Sequence, residues 1–170
     1  MLDKKIVEAI NKQINRELHS EYLYLHFANY YIDEGLEGFG NWFNVQVQEE
    51  RSHAMLFIEY LQNNSEKVIL EEIAKPIGDF KNYFEPLEAS LKHECYITKS
   101  INDIYEIAYN LKDFRTMQFL DWFIKEQGEE EKNADDLITK FKLFGHDAKA
   151  LYELDKELAT RVYTAPTLTL

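Results

Sequence analysis

The sequence predicts an all-α fold: a four-helix bundle with a long connection between its second and third helices and a short fifth helix. Three observations predict it. Only three prolines and six glycines interrupt 170 residues, apolar residues recur at intervals of three and four, and the periodic segments are roughly 25 to 30 residues long. Helices of that length extend for about 40 Å and must pack side by side.

Each predicted helix begins and ends at a recognisable signal. Gly35 and Gly145 end the first and fourth helices, and Pro86 opens the third. The five helices are predicted at residues 3–33, 39–62, 86–111, 113–144 and 148–160. Residues 65–85 are too long for a tight turn and are expected to cross the bundle, which makes the second and third helices parallel. Residues 1–160 are then one domain, and residues 161–170 are a C-terminal tail.

The composition restricts the partners and the compartment. Lys and Arg number 19 against 31 Asp and Glu, a formal charge of -12, so neither nucleic acid nor an anionic membrane is an expected partner. Cations are the more natural ligands. Cys95 is the only cysteine, and the first residues, MLDKKIVEAI, lack the apolar core of a signal peptide. A reducing cytoplasm is therefore the expected location.

One stretch of the first helix carries more large apolar groups than a single core face needs. Residues 22–31 read YLYLHFANYY, with aromatic or apolar side chains in nearly all directions around the helix. On a monomer they would form a sizeable exposed patch. The surplus predicts contacts between subunits.

Acidic side chains interrupt the apolar face of each long helix. At about 100° per residue, Glu17, Glu50 and Glu94 lie within the apolar stripes of the first three helices. In the fourth helix Gln127 and Glu130 do the same. An unpaired buried charge is costly, and the chain offers no matching set of inward lysines or arginines. A bound cation is the simplest compensation.

The spacing of these residues indicates a di-metal centre. Glu17 precedes Glu50 by 33 residues, and Glu94 precedes Gln127 by 33, so the chain repeats one helix pair. Three positions after the second member of each pair stands another ligand type, His53 or Glu130. One glutamate from each of two helices plus a Glu-x-x-His or equivalent from the others is the layout of carboxylate di-metal bundles. Oxygen ligation with one imidazole favours iron or manganese over a zinc thiolate site.

The sequence resembles the non-haem bacterial and archaeal ferritins along essentially its whole length. Seven segments carry the resemblance, in the expected order: NRELHSEYLY (15–24), GLEGFGNWF (35–43), QEERSHA (48–54), HE (93–94), FLDWF (119–123), EQGEEEK (126–132) and LDKEL (154–158). The resemblance implies a ferritin-like di-iron domain over residues 1–160. It further implies a homo-oligomeric, octahedral shell of 24 subunits, in which Fe(II) is oxidised by O2 and stored as a ferric oxyhydroxide mineral.

Site residues follow from the same resemblance, position by position. One metal site would comprise Glu17, Glu50 and His53 with Gln127 nearby, and the other Glu50, Glu94 and Glu130. A third iron site toward the shell interior would comprise Glu49, Glu126, Glu129 and Glu130. Tyr24 corresponds to a tyrosine that hydrogen-bonds the centre and can supply an electron in catalysis. Arg51 stands where haem-binding relatives have methionine, so haem is not an expected cofactor.

Three other classes compete with iron storage. A DNA-protecting mini-ferritin would have a basic tail and ligands shared between subunits, whereas this chain is acidic and holds all its ligands in one subunit. A rubrerythrin-like peroxidase would carry a cysteine-rich module, and the chain has one cysteine. A shell subunit with a vestigial centre would have lost the glutamates and histidine that are present here.

Overall fold

Five helices form the structure, a computed structural model that describes residues 1–76 and 78–168. They are α1 (Lys4–Asp33), α2 (Glu37–Asn63), α3 (Glu85–Leu111), α4 (Phe114–Phe144) and α5 (Ala148–Leu158). The described residues contain no strand. The predicted fold class is confirmed, and each predicted helix end lies within two residues of the observed one.

Side chains at the helix starts explain three of these boundaries. Asp3, Asp113 and Asp147 each accept a hydrogen bond from a backbone N–H of the following first turn, at 2.8 to 3.1 Å. Such a cap satisfies a donor that has no partner within the helix. The turn from α1 to α2 passes through Gly35, whose φ of 79° lies in the left-handed region that favours glycine.

The connection between α2 and α3 runs along α1. Near its start, the amide of Asn11 donates to the carbonyl of Lys67 at 3.1 Å. Further on, His26 contacts the carbonyl of Gly78 at 2.9 Å, and Tyr31 donates to the carbonyl of Tyr83. The connection therefore returns the chain to the end of the bundle where α2 begins. As predicted, α2 and α3 are parallel.

Two apolar clusters fill the interior, one toward each end of the bundle. The first includes Ile14, Phe57, Ile97 and Phe123, and the second includes Tyr24, Phe43, Leu87 and Leu137. Along every long helix, the inward acidic residues lie in the sequence between members of these two clusters. The polar groups therefore form a layer across the middle of the bundle, shielded from solvent at both ends. None of the helices in the described part of the chain is long and apolar enough to span a membrane.

Candidate metal centre

The four long helices bring their inward polar side chains together in this middle layer. The side chains involved are almost fully buried, with 1 to 4% of their surface exposed. They are Glu17, Glu50, His53, Glu94, Gln127 and Glu130. The inward orientation predicted for five of them, Glu17, Glu50, Glu94, Gln127 and Glu130, is confirmed. Glu126 is half-buried, and Glu129 is exposed.

Glu50 and His53 occupy one face of α2 because they are three residues apart. His53 Nδ1 lies 3.8 Å from Glu50 Oε2, and His53 Nε2 lies 3.9 Å from Glu126 Oε1. The imidazole is enclosed edge-on by the rings of Trp122 and Phe123 from α4. These aromatic walls fix the ring plane, so both nitrogens face carboxylates.

Glu94 is held from two sides. Tyr24 of α1 donates its phenolic proton to Glu94 Oε1. From α4, Gln127 Nε2 donates to Glu94 Oε2 at 3.2 Å and also lies 3.3 Å from Thr98 Oγ1. Gln127 therefore reaches the centre as a hydrogen-bond donor to a carboxylate, and its amide oxygen is left for other partners.

Two further glutamines belong to the layer, and the sequence reasoning did not identify them. Gln13 Nε2 donates to Glu17 Oε1 at 2.7 Å, and Gln46 Nε2 donates to Glu130 Oε2 at 2.9 Å. Both amides are buried. Gln13 and Gln46 stand four residues before Glu17 and Glu50, so they repeat the 33-residue spacing. That repeated spacing is the feature of the sequence that could have identified them.

Burial governs the protonation of the carboxylates. Removal from water raises the pKa of Glu17, Glu50 and Glu130 above the usual value, and neighbouring carboxylates add to the effect. Burial, with the nearby charge of Glu130, raises the pKa of Glu94 to about 8. Without a cation, the centre therefore retains protons at neutral pH.

His53 responds in the opposite sense to its burial. Burial alone would lower its pKa, but the carboxylates of Glu126, Glu50 and Glu17 outweigh that effect and raise the pKa well above the usual value. The imidazole thus behaves as a cationic partner within the acidic layer. A metal ion bound between these carboxylates would take over that role and leave His53 neutral, the form that ligates metals.

Two groups of side chains could each hold a metal ion: the first is the predicted set Glu17, Glu50 and His53, whereas the second differs from the predicted set Glu50, Glu94 and Glu130. The ligand atoms of Glu17, Glu50 and His53 lie within 4.8 Å of one another, and so do those of His53, Glu126 and Glu130. Two buried acceptors in the layer, Glu17 Oε2 and Gln46 Oε1, have no hydrogen-bond partner. Orphaned acceptors among carboxylates are the environment that a hard cation satisfies.

The residues predicted for a third site are only partly brought together. Glu126 converges with Glu130 and His53. Glu49 instead pairs with Arg161 of the C-terminal tail at 2.8 Å. Glu129 forms an exposed ion pair with Lys125 at 3.7 Å. Sequence spacing could not predict the Arg161 contact, because it joins residues that are 112 positions apart.

The fold and this layer define a class of protein: four-helix bundles that hold metal between carboxylates of facing helices. A family model described as a ferritin-like domain matches residues 7–144. The chain belongs to the ferritin family.

Curated relatives and solved structures agree with this assignment. The chain is 36% identical to "Bacterial non-heme ferritin" of Campylobacter jejuni over 156 residues, covering 92% of this chain and 93% of that protein. It is also 36% identical to a Staphylococcus aureus protein of the same name, covering 96% and 98%. A closed form of the Archaeoglobus fulgidus ferritin, engineered by mutagenesis, superposes with a TM-score of 0.94 at 42% identity, covering 96% and 100%. The open-pore ferritin of that archaeon gives 0.93 at 41% identity, covering 95% and 100%.

Proposed function

We propose that the protein stores iron: it oxidises Fe(II) with O2 at a di-iron centre inside each subunit and keeps the ferric product as an oxyhydroxide mineral within a shell. One observation carries the proposal. Four buried glutamates converge with one histidine, and the buried described residues include no lysine or arginine to neutralise them. Leaving such charges uncompensated would be strongly destabilising. Membership of the ferritin family supports iron as the cation.

The two ions are assigned to the ligands that lie on either side of Glu50. The first position uses Glu17 and His53, with Gln127 close by through its contact with Glu94. The second uses Glu94 and Glu130. Glu50 would be shared by the two positions, because its charged neighbours include Glu17 and His53 on one side and Glu94 on the other.

The ligand chemistry favours oxidation. Each Fe(II) gives up one electron, so two ions in one centre supply the two electrons that, together with two protons, reduce one O2 to hydrogen peroxide. Anionic oxygen ligands stabilise Fe(III) relative to Fe(II), which favours this direction. Raised pKa values in the apo centre mean that Glu94 and its neighbours release protons as the cations enter. Tyr24, which donates a hydrogen bond to Glu94, is in position to orient that carboxylate during oxidation.

We propose that the subunits assemble as those of ferritins do. We expect a homo-oligomer of 24 subunits with octahedral symmetry, located in the cytoplasm, with the mineral enclosed. Exposed apolar side chains on α1, including Tyr22, Leu25 and Ile32, support burial against other subunits. The charge of -12 supports a cationic cargo and disfavours nucleic acid as a partner.

Stopped-flow oxidation of Fe(II) in air-saturated buffer tests the function. Glu50→Ala removes the bridging ligand and His53→Ala removes the imidazole, so each should slow oxidation by about 100-fold, a loss typical for a catalytic electrostatic group. Glu59→Ala is the matched control, because Glu59 is an exposed carboxylate on the same helix. Size-exclusion chromatography should show an unchanged shell for all three variants. Wild-type rates in Glu50→Ala would refute the assignment.

A further inference from the structure

The C-terminal tail places a guanidinium beside the acidic layer. Arg161 Nη2 lies 2.8 Å from Glu49 Oε2, and both side chains are about four-fifths buried, with 21% and 18% of their surface exposed. Glu49 is the residue on α2 that directly precedes Glu50. An ion pair in this position is shielded from solvent much more than the exposed pairs elsewhere on the subunit.

Arg161 is held in place by more than its partner charge. Its Nη1 donates to the carbonyl of Trp42 at 3.1 Å, and its guanidinium lies 4.5 Å from the centre of the Trp42 ring. The amide of Asn41 donates to the backbone carbonyl of Arg161 at 3.0 Å. Stacking on an aromatic face and a fixed backbone together preorganise the guanidinium. The guanidinium is therefore held in its position beside Glu49 by several independent contacts.

The rest of the described tail anchors this arrangement along α2. After Arg161, the hydroxyl of Tyr163 is 2.6 Å from Ser52 Oγ. Pro166 and Met55 line the same surface pocket, and Leu168 packs against the first apolar cluster. These contacts advance along α2 in step with the tail. The segment 159–168 thus lies along α2 as a strap, and Arg161 is its charged contact with the acidic layer.

Glu49 has other titratable neighbours besides Arg161, namely Glu130, Glu126 and His53. The carboxylates of Glu130 and Glu126 both act on it. A metal ion entering between Glu49 and Glu126 would have to displace the guanidinium or share Glu49 with it. A cation that is already in place competes with a second cation for the same oxygens.

We propose that Arg161 is a tethered cation that fills the third metal position at Glu49, so that each subunit binds two ions tightly and a third only after Arg161 is displaced. This inference rests on the proposed di-iron centre. It means that the C-terminal tail determines how many ions each subunit binds. Release of the strap opens the third position.

Calorimetric titration of the metal-free shell with Zn(II) tests this, because zinc accepts carboxylate and imidazole ligands and has no redox chemistry. The wild-type protein should bind two ions per subunit tightly. Arg161→Gln should bind a third ion with an affinity about tenfold higher than that of the wild type. Arg161→Lys keeps the positive charge, so its titration should match that of the wild type. Arg51→Gln is the matched control, since Arg51 is exposed and forms an ion pair with Glu21, at 3.4 Å, away from Glu49.

The outcomes separate this inference from the proposed function. If Arg161→Gln titrates as the wild type does, or binds fewer ions, the tethered-cation role is wrong while the two tight sites stand. If the wild type lacks two tight sites, the di-iron centre is wrong, and a gain of zinc in Arg161→Gln still reports on Arg161. Tyr163→Phe, which loosens the strap without removing the charge, should give a smaller gain in the same direction.

Discussion

Tyr24 of α1 donates its hydroxyl proton to Oε1 of Glu94, which lies on α3, so the two helix pairs of the bundle meet through this bond inside the polar layer. Burial, together with the adjacent charge of Glu94, raises the pKa of Tyr24 well above its usual value. The phenol therefore stays protonated and keeps donating. It fixes one oxygen of Glu94, while Gln127 fixes the other.

Replacing Tyr24 tests whether the orientation of Glu94 affects Fe(II) oxidation independently of metal binding. In Tyr24→Phe one carboxylate oxygen loses its donor, a change expected to cost about 1 to 3 kcal/mol of stability in the metal-free subunit. We expect two zinc ions still to bind, because all ligands remain, but Fe(II) oxidation to slow by roughly tenfold, the lower end of proton-transfer effects. Stopped-flow absorbance and zinc calorimetry measure the two quantities. Unchanged oxidation would show that Tyr24 only packs.

The metal-free protein should lose stability as the pH rises. The folded-state pKa is raised from 4.5 to about 8 for Glu94 and to about 7 for Glu49, chiefly by burial. Between pH 4.5 and 8 the folded state therefore holds more protons than the unfolded state, so the free energy of unfolding decreases with rising pH. Scanning calorimetry in chelator should show a melting temperature that falls from pH 5 to pH 8.

Two further samples show whether the buried carboxyl groups cause this pH dependence. Glu94→Gln removes one titrating carboxyl and should flatten the pH dependence. Bound zinc replaces the protons and should remove most of the decrease. A melting temperature that rises over the same pH range would contradict the raised pKa values.

Gly128 lowers the stability of α4 and has no contact within the subunit that requires a glycine. The sequence places it within the acidic run of the fourth helix, where glycine costs about 1 kcal/mol of helix propensity relative to alanine. The structure shows it exposed, and a Cβ built there meets no atom within 4 Å. Close packing within the subunit therefore does not explain this glycine.

Gly128→Ala should consequently stabilise the subunit by about 1 kcal/mol and leave Fe(II) oxidation unchanged. Denaturant unfolding of the metal-free protein measures the change. Gly38→Ala is the contrasting variant, because its Cβ would lie 1.7 Å from the backbone oxygen of Asp155 and should destabilise the subunit. A destabilised Gly128→Ala protein would instead place a neighbouring subunit against this helix face.

The helical periodicity was sufficient to predict the architecture and the inward side chains. An apolar stripe repeats every turn, so a carboxylate within it, such as Glu17 or Glu94, must point toward the core whatever the tertiary details. The same reasoning separated buried Glu130 from exposed Glu129 on one helix. Local rules suffice here because helix geometry fixes the direction of each side chain.

Contacts between distant segments could not be predicted in this way. Arg161 follows the fifth helix, and nothing in its local sequence indicates that it reaches Glu49 or stacks on Trp42. Gln13 and Gln46 were missed for a different reason: unlike Gln127, neither stands at the repeat position of an inward glutamate. Both contacts depend on how the helices pack, which periodicity does not specify.

In the proposed centre, the buried carboxylates hold two ions on either side of Glu50. Anomalous X-ray diffraction from crystals loaded anaerobically with Fe(II) locates such ions. We expect two strong peaks per subunit, one within bonding distance of Glu17, Glu50 and His53 and the other of Glu50, Glu94 and Glu130. Peaks confined to surface carboxylates, or a single ion that leaves Glu50 without a metal bond, would contradict this proposal.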